Sequence, residues 1–515
     1  MSTIPLTEQR RVALSSILVM FGFLASKLIG IVRQSIIARA FGAGEQLDAY
    51  YAAFRLPELL LTLVAGGAIA TTFIPVFADH LTRGDTRRAW RLASAVLNIL
   101  LIVVSLAALG GAISAPWLVR HVIAPGFSAE RQDLTADLLR IVLVSSVLFT
   151  ASSLVMSVLQ AHGRFLLPAL ADFFYDVGII CGALVLAPRM GIQGLAIGVV
   201  IGALFHLLIQ VPGLLRVRAR YVPVLRTGDR DMLRFGRLMG PRIGILAMFQ
   251  IVFLFTTRVA SRLEGGSITA ITMGWTMVQM PEVIFAMAIA TAAFPTMSAL
   301  VTSRDQQALE DTVSGALQAI LALTLPSAVA LLLLGRSYID VLFRSSAFDA
   351  RAGEMIYRAT AAFTVGLIGH AVLELAARLF YAHQNTLIPF WIALGATALN
   401  IGLCLLLSSW MGQAGLALAN SIVVSLQSAV LLWMGWRSRV RFDWGPVWRL
   451  LGRATLASVA MAGSIWLVVS RQETLGSLWT AIIGSTAGGG VYLGTFGILS
   501  RREARSVVRA LLKRV

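Results

Sequence analysis

The chain has 515 residues, of which 57% are hydrophobic and only 13% charged, with a formal net charge of +18. That charged fraction is about half the usual one, so a water-soluble protein and a disordered chain are both excluded. Two cysteines in apolar stretches, Cys181 and Cys404, exclude a disulfide framework, and the arginines crowd into short connections between apolar segments, which is the pattern of membrane loops and not of a nucleic-acid-binding domain.

A helical span needs about 20 apolar residues. In chain order the hydropathy pattern predicts spans near 11–38, 47–78, 92–118, 138–160, 165–187, 191–214, 236–258, 268–297, 313–335, 357–381, 386–409, 412–436, 450–470 and 476–499. The expected fold class is therefore all-α: a polytopic membrane protein with 14 transmembrane helices. The first span runs through Lys27 and Arg33 with no small-residue cleavage site, so it reads as a retained helix.

Alternate loops differ in charge. One set carries Arg83, Arg87, Arg88 and Arg91, then Arg216, Arg218 and Arg220, then Arg437, Arg439 and Arg441, then the basic tail from Arg501. The other set mixes its arginines with acids, as in Glu130, Arg131 and Asp133. The first set is expected to face the cytoplasm, with both termini inside. The same loops are suited to anionic lipid headgroups.

An internal repeat recurs at an offset of 221 residues. Ala161-His162 with Leu166 and Pro168 matches Ala382-His383 with Leu387 and Pro389; Gly191 with Gly194-Leu195-Ala196 matches Gly412 with Gly415-Leu416-Ala417; Phe127 matches Phe348. Leu56-Pro57-Glu58 echoes Met280-Pro281-Glu282 at a nearby offset. The repeated unit holds six helices, so both copies cross in the same direction. The expected organisation is an N-lobe over 1–220, a C-lobe over 221–440 in pseudo-two-fold repeat with it, and two extra helices with a basic cytoplasmic tail over 441–515. Two-lobe membrane proteins of this kind hold substrate between the lobes and work by alternating access.

An ionisable group at bilayer depth costs roughly 3 kcal/mol or more, so it should face a cavity or a partner. The first two spans contain Lys27, Arg33, Arg39, Asp48, Arg55 and Glu58. Arg39 reads as an outer-interface residue that snorkels. Lys27, Arg33 and Arg55 read as a cationic site with few accompanying acids, suited to a phosphate- or carboxylate-bearing amphiphile. Arg242, behind Pro241, either supplies a further cation from the second lobe or continues an inner-interface arginine series. Asp172 and Asp176, one turn apart, either pair with a cation, mark a proton or sodium site, or simply pack helices. Glu374 and Arg378, at i and i+4, read as a structural pair. No phosphate-binding glycine loop contains either lysine, no H-E-x-x-H occurs and the acids are scattered, so neither a catalytic site, a metal nor a cofactor is expected.

The stretch Arg33 to Leu60, R-Q-S-I-I-A-R-A-F-G-A-G-E-Q-L-D-A-Y-Y-A-A-F-R-L-P-E-L-L, resembles the start of the MurJ (MviN) family of lipid II flippases, within the MOP exporter superfamily. Ala124-Pro125-Gly126-Phe127 and Met239-Gly240-Pro241 resemble that family as well. The resemblance implies a non-enzymatic transporter that flips lipid II, the undecaprenyl-pyrophosphate-linked peptidoglycan precursor, from the inner to the outer leaflet. It implies substrate contacts by Lys27, Arg33 and Arg55, an outer-gate acid at Asp48, and partners in membrane lipid and the cell-wall synthesis machinery. The sequence departs from the family pattern at Leu61 and Thr62, at Ala65-Gly66-Gly67, and at Thr276, where the family carries charges. These departures leave two alternatives: an exporter of another lipid-linked oligosaccharide, or a diverged paralogue that does not transport.

Overall fold

The computed structural model describes residue 26 and residues 28–65, 68–225, 248, 250–345 and 348–500. The described residues are almost entirely helical. The first part comprises α1 (28–41), α2 (Glu45–Ala53), α3 (Arg55–Ala65), α4 (Ala68–Thr82), α5 (Thr86–Ile113), α6 (Ala129–Ala161), α7 (Leu166–Met190), α8 (Ile192–Arg216) and α9 (Gln250–Ala260). The remainder comprises α10 (Ser267–Ser303), α11 (Gln306–Phe343), α12 (Ala350–Val365), α13 (Leu367–Ala382), α14 (Leu387–Met411), α15 (Gln413–Ser438), α16 (Trp444–Val469) and α17 (Gln472–Leu499).

Ten of these helices are long and apolar enough to cross a membrane among the described residues, and the bent pair α12–α13 brings the number to eleven. The second expected span comprises α2 and α3, which meet at the turn residue Phe54, and α4; residues 66–67 between α3 and α4 lie outside the described residues. The first and seventh expected spans fall partly outside the described residues. Large side chains such as Leu106, Trp410, Trp448 and Leu493 point outward, as expected where the solvent is lipid and not water.

Contacts divide the chain into two units, 1–262 and 263–515. The division falls one helix later than the repeat boundary at 220, because α9 is tied into the first unit. Gln250 Nε2 donates to Thr62 Oγ1 at 2.8 Å. The Gly126 amide donates to Ser261 Oγ at 3.1 Å. The Arg258 guanidinium reaches the His121 and Val122 carbonyls.

Within the first unit, α7 and α8 cross at glycines. A Cβ on Gly178, Gly182 or Gly198 would collide with backbone of the opposite helix, so small residues let the backbones touch. Phe73, Phe77, Trp90 and Leu154 form a buried cluster joining α4, α5 and α6. Within the second unit, α16 and α17 dock on α11 through Leu334, Met461, Ile465 and Tyr492. The Tyr492 hydroxyl donates to the Ala322 carbonyl at 2.5 Å.

The repeat leaves matching local geometry in each unit. Asp85 caps α5 by accepting from the Arg88 amide at 3.0 Å, and Asp305 caps α11 by accepting from Ala308 at 3.1 Å. His162 Nδ1 lies 2.8 Å from the Val158 carbonyl, and His383 Nδ1 lies 2.9 Å from that of Leu379. Behind each histidine the chain turns through a left-handed residue, Gly163 at φ 69° and Gln384 at φ 55°. Gly191 and Gly412 repeat another such turn at φ 61° and 57°.

Candidate functional site

Arg33, Asp48 and Arg55 converge in the first unit. Arg33 lies in the middle of α1, and its Nη1 donates to Asp176 Oδ1 on α7 at 2.5 Å. The helices approach closely here because Gly30 faces Asp176: an added Cβ would stand 3.3 Å from Oδ2. Ser26 Oγ also donates to the Ala169 carbonyl at 3.3 Å. The Asp176 side chain is 8% exposed. Removing such a carboxylate from water costs several kcal/mol, and only a paired, hydrogen-bonded cation offsets this.

The break between α2 and α3 sets Arg55. A single turn residue, Phe54, which keeps right-handed angles (φ −73°, ψ −18°), separates α2 from α3, and Asp48 and Arg55 stand seven residues apart across it. Arg55 Nε donates to Thr257 Oγ1 at 2.7 Å, and Nη1 donates to Glu58 Oε2 at 3.0 Å. Its guanidinium also stands 5.6 Å from the centre of the Phe253 ring, a cation–π contact of about 0.5–2 kcal/mol. The helix α9 thus supplies both a hydroxyl and an aromatic face to an arginine of α3.

Asp48 is buried at 1% exposed, whereas Arg39 is exposed. The Tyr51 hydroxyl accepts from Gln34 Nε2 at 2.5 Å and lies within electrostatic reach of Arg33, Asp48 and Arg55 together. Tyr175 is similarly within reach of Arg33, Asp176 and Glu58. Two arginines, three acids and a set of tyrosines therefore share one region of the first unit.

The expectation that few acids accompany these cations does not hold. Arg33 has Asp176 and Arg55 has Glu58, so each arginine is stored as an ion pair. The physical reason is depth: a lone guanidinium among helices is too costly. Of the two pairings, Arg55/Glu58 follows an i,i+3 spacing legible in the sequence. The Arg33/Asp176 pair joins positions 143 residues apart, and Asp176 was identified only as an acid with several possible roles. Thr257, Phe253 and Gln34 carried no sequence signal. Lys27 and Arg242 lie outside the described residues.

Around Asp48 a second layer of contacts ties the Ala124–Phe127 loop. Glu45, in the first turn of α2, pairs with Arg131 at the start of α6. The Arg131 guanidinium lies 4.9 Å from the Phe127 ring centre. Arg131 read as an ordinary loop charge in sequence; here it joins the loop to the helix that carries Asp48. In the second unit Arg378 pairs with Glu374, as the i,i+4 spacing predicts, and Arg378 Nη2 also donates to Thr291 Oγ1 at 3.1 Å.

The family model of the lipid II flippase MurJ matches residues 37–484. Asp48 and Arg55 lie inside the matched stretch, and Lys27 and Arg33 precede it. A lipid II flippase MurJ from Burkholderia cenocepacia is 29% identical over 472 residues, covering 89% of this chain and 91% of its own. A probable lipid II flippase MurJ from Thermotoga maritima is 30% identical over 465 residues, covering 90% and 92%. A solved lipid II flippase MurJ in an inward closed conformation superposes with a TM-score of 0.82 at 24% identity, over 94% of this chain and 99% of that one. An inward-facing MATE multidrug transporter of the MOP superfamily superposes with a TM-score of 0.67 at 16% identity, over 80% and 94%. At such identities the two structural matches speak for the fold.

Proposed function

We infer what this protein does from one premise: the chain belongs to the family of the lipid II flippase MurJ. It is a multi-pass membrane transporter of the MOP type, and it moves lipid II from the inner to the outer leaflet. The difficult part of that cargo is its pyrophosphate, because each charge at bilayer depth costs several kcal/mol. Arg33 and Arg55 meet this charge. Without cargo they are held by Asp176 and Glu58; with cargo, phosphate oxygens replace the carboxylates. An arginine fork binds two such oxygens at once. Neither guanidinium is left unpaired during the exchange, which lowers its barrier.

We assign Lys27 and Arg242 to the same headgroup, and Asp48, with the Glu45–Arg131 pair beside it, to the outer gate. The two six-helix repeats, 1–220 and 221–440, alternate access to the site, and the helices of 441–515 accompany the lipid tail. The arginine-rich loops support an orientation with both termini on the cytoplasmic side of the inner membrane. No covalent bond forms or breaks in this process, so the protein acts as a carrier and not as an enzyme.

The observation that supports this most is the two ion-paired arginines of the first unit, Arg33 with Asp176 and Arg55 with Glu58. Lipid II translocation in proteoliposomes tests it: the native protein should expose lipid II on the opposite leaflet, and Arg55→Ala should not. Equal rates for the native protein, Arg33→Ala and Arg55→Ala would sink the assignment. A second reading, export of another lipid-linked oligosaccharide, is favoured by Thr276, which stands where the family pattern has an arginine. Complementation of a strain depleted of its own lipid II flippase separates the two: growth supports lipid II, and failure by well-inserted protein supports the other cargo.

A further inference from the structure

Glu282 is the first residue of a π-helical turn, Glu282–Met287, directly behind Pro281 in α10. Proline cannot donate to the helical ladder, and π-turns recur at functional positions. The Glu282 side chain is 13% exposed. Its Oε2 is buried and has no hydrogen-bond partner among the described residues. Its Oε1 lies 3.9 Å from His370 Nδ1 on α13. His370 is itself buried beneath the Trp275 ring, with centroids 4.8 Å apart.

The hydrogen-bond roles around His370 are set by its other neighbour. Nε2 lies 3.0 Å from Asn420 Oδ1 on α15. An amide oxygen only accepts, so Nε2 carries the hydrogen and the neutral ring keeps a lone pair at Nδ1. That lone pair faces a carboxylate oxygen. Two acceptors stand opposite each other across a gap wider than a hydrogen bond, which spans about 2.7–3.2 Å. One proton resolves the arrangement: it discharges a buried carboxylate and supplies the missing donor.

We propose that Glu282, His370 and Asn420 form a proton-binding site in the second unit, in which Glu282 takes up one proton and donates it as a hydrogen bond to His370 Nδ1. The inference deepens the transport reading and rests on it only for the site's effect on translocation. The charged neighbours leave Glu282 as the group that responds. Glu374 on α13 faces it as a like charge, but Arg378 holds Glu374. The Ser267–Pro281 and Ala288–Ser303 segments of α10 contain no titratable side chain, and Thr291 offers only a hydroxyl to Arg378. The helix α11 meets this stretch with apolar residues including Leu317 and Ile320; its own charged residues lie toward its ends. A metal ion is a poor alternative. No group of three or more His, Cys, Asp or Glu that could hold one occurs among the described residues, whereas calcium or magnesium requires about six oxygen ligands.

Infrared difference spectroscopy of the full-length protein in nanodiscs, without lipid II, reads the site directly. On acidification from about pH 8 to about pH 5, a protonated-carboxyl band should appear, vanish in Glu282→Gln, persist in Glu374→Gln and shift in His370→Asn. A band unaffected by Glu282→Gln overturns the proposal, as does a Glu282 band present at every pH, which would mean that the proton does not exchange. The same protein in proteoliposomes with lipid II should show a rate that changes by about fivefold or more over that range, a dependence lost in Glu282→Gln. Native protein that shows the band but moves no lipid II would refute the flippase reading and leave the proton site standing. Native protein that flips lipid II without a Glu282 band would refute the site alone.

Discussion

Arg55-Leu56-Pro57-Glu58 in the first unit and Gln279-Met280-Pro281-Glu282 in the second share a proline and a glutamate, but only the first has an arginine three residues before the acid. In the first unit that arginine holds its glutamate at 3.0 Å and gains Thr257 and Phe253 as further partners. In the second, Gln279 is exposed and Glu282 faces a histidine. One substitution in a duplicated motif thus separates a stored cation from a carboxylate that a proton must satisfy. The difference between the units lies less in the helices than in the charge each motif leaves uncompensated.

The largest effect expected from breaking this contrast is at Arg33. Arg33→Ala should lower lipid II translocation by about a hundredfold or more and also lower unfolding stability by about 3 kcal/mol, because Asp176 is left as an unpaired buried charge. Adding Asp176→Ala should recover the melting temperature without recovering transport. If the double variant transports, the arginine serves only to neutralise the acid. A smaller change is expected from Gln279→Arg, which rebuilds the first-unit motif in the second. The new guanidinium should keep Glu282 ionised, so that its infrared band disappears and translocation loses its pH dependence while the helix content is unchanged.

Packing offers a third contrast. Gly178→Ala should destabilise by about 1–3 kcal/mol, since its Cβ would meet the backbone of Gly202. Its repeat counterpart in the second unit is the exposed Leu399, and Leu399→Ala should shift the melting temperature little. Comparable losses at both sites would mean that the two crossings are equally tight. The smallest effect should be the same in both units: Asp85→Ala and Asp305→Ala each remove a helix cap, at a cost of about 1 kcal/mol.

The fold was legible in the sequence because lipid imposes a coarse rule: long apolar runs must become helices. Gly191 and Gly412 belong to the repeat legible in the sequence, whereas the matching caps at Asp85 and Asp305 emerge only in the structure. The bend between α12 and α13 was not legible, because a kinked span has the same apolar content as a straight one. Within the site, Arg33, Asp48 and Arg55 stood out as charges in an apolar setting. Their partners did not, since Thr257, Phe253 and Gln34 are ordinary residues for a membrane helix. The partnership of Arg33 with Asp176 depends on how α1 meets α7, which no spacing along the chain encodes. Glu282 was noticed as part of an echo of Glu58, but its importance comes from His370 and Asn420, which are brought to it by other helices.

The corner behind His162 and His383 bears on how such a chain diverges. Gly163 adopts its left-handed conformation without strain, whereas Gln384 holds nearly the same angle against a steric penalty of about 1–2 kcal/mol. Both units keep the corner although only the first carries the residue that suits it. A main-chain bend therefore matches between the two units where the residue at the bend does not.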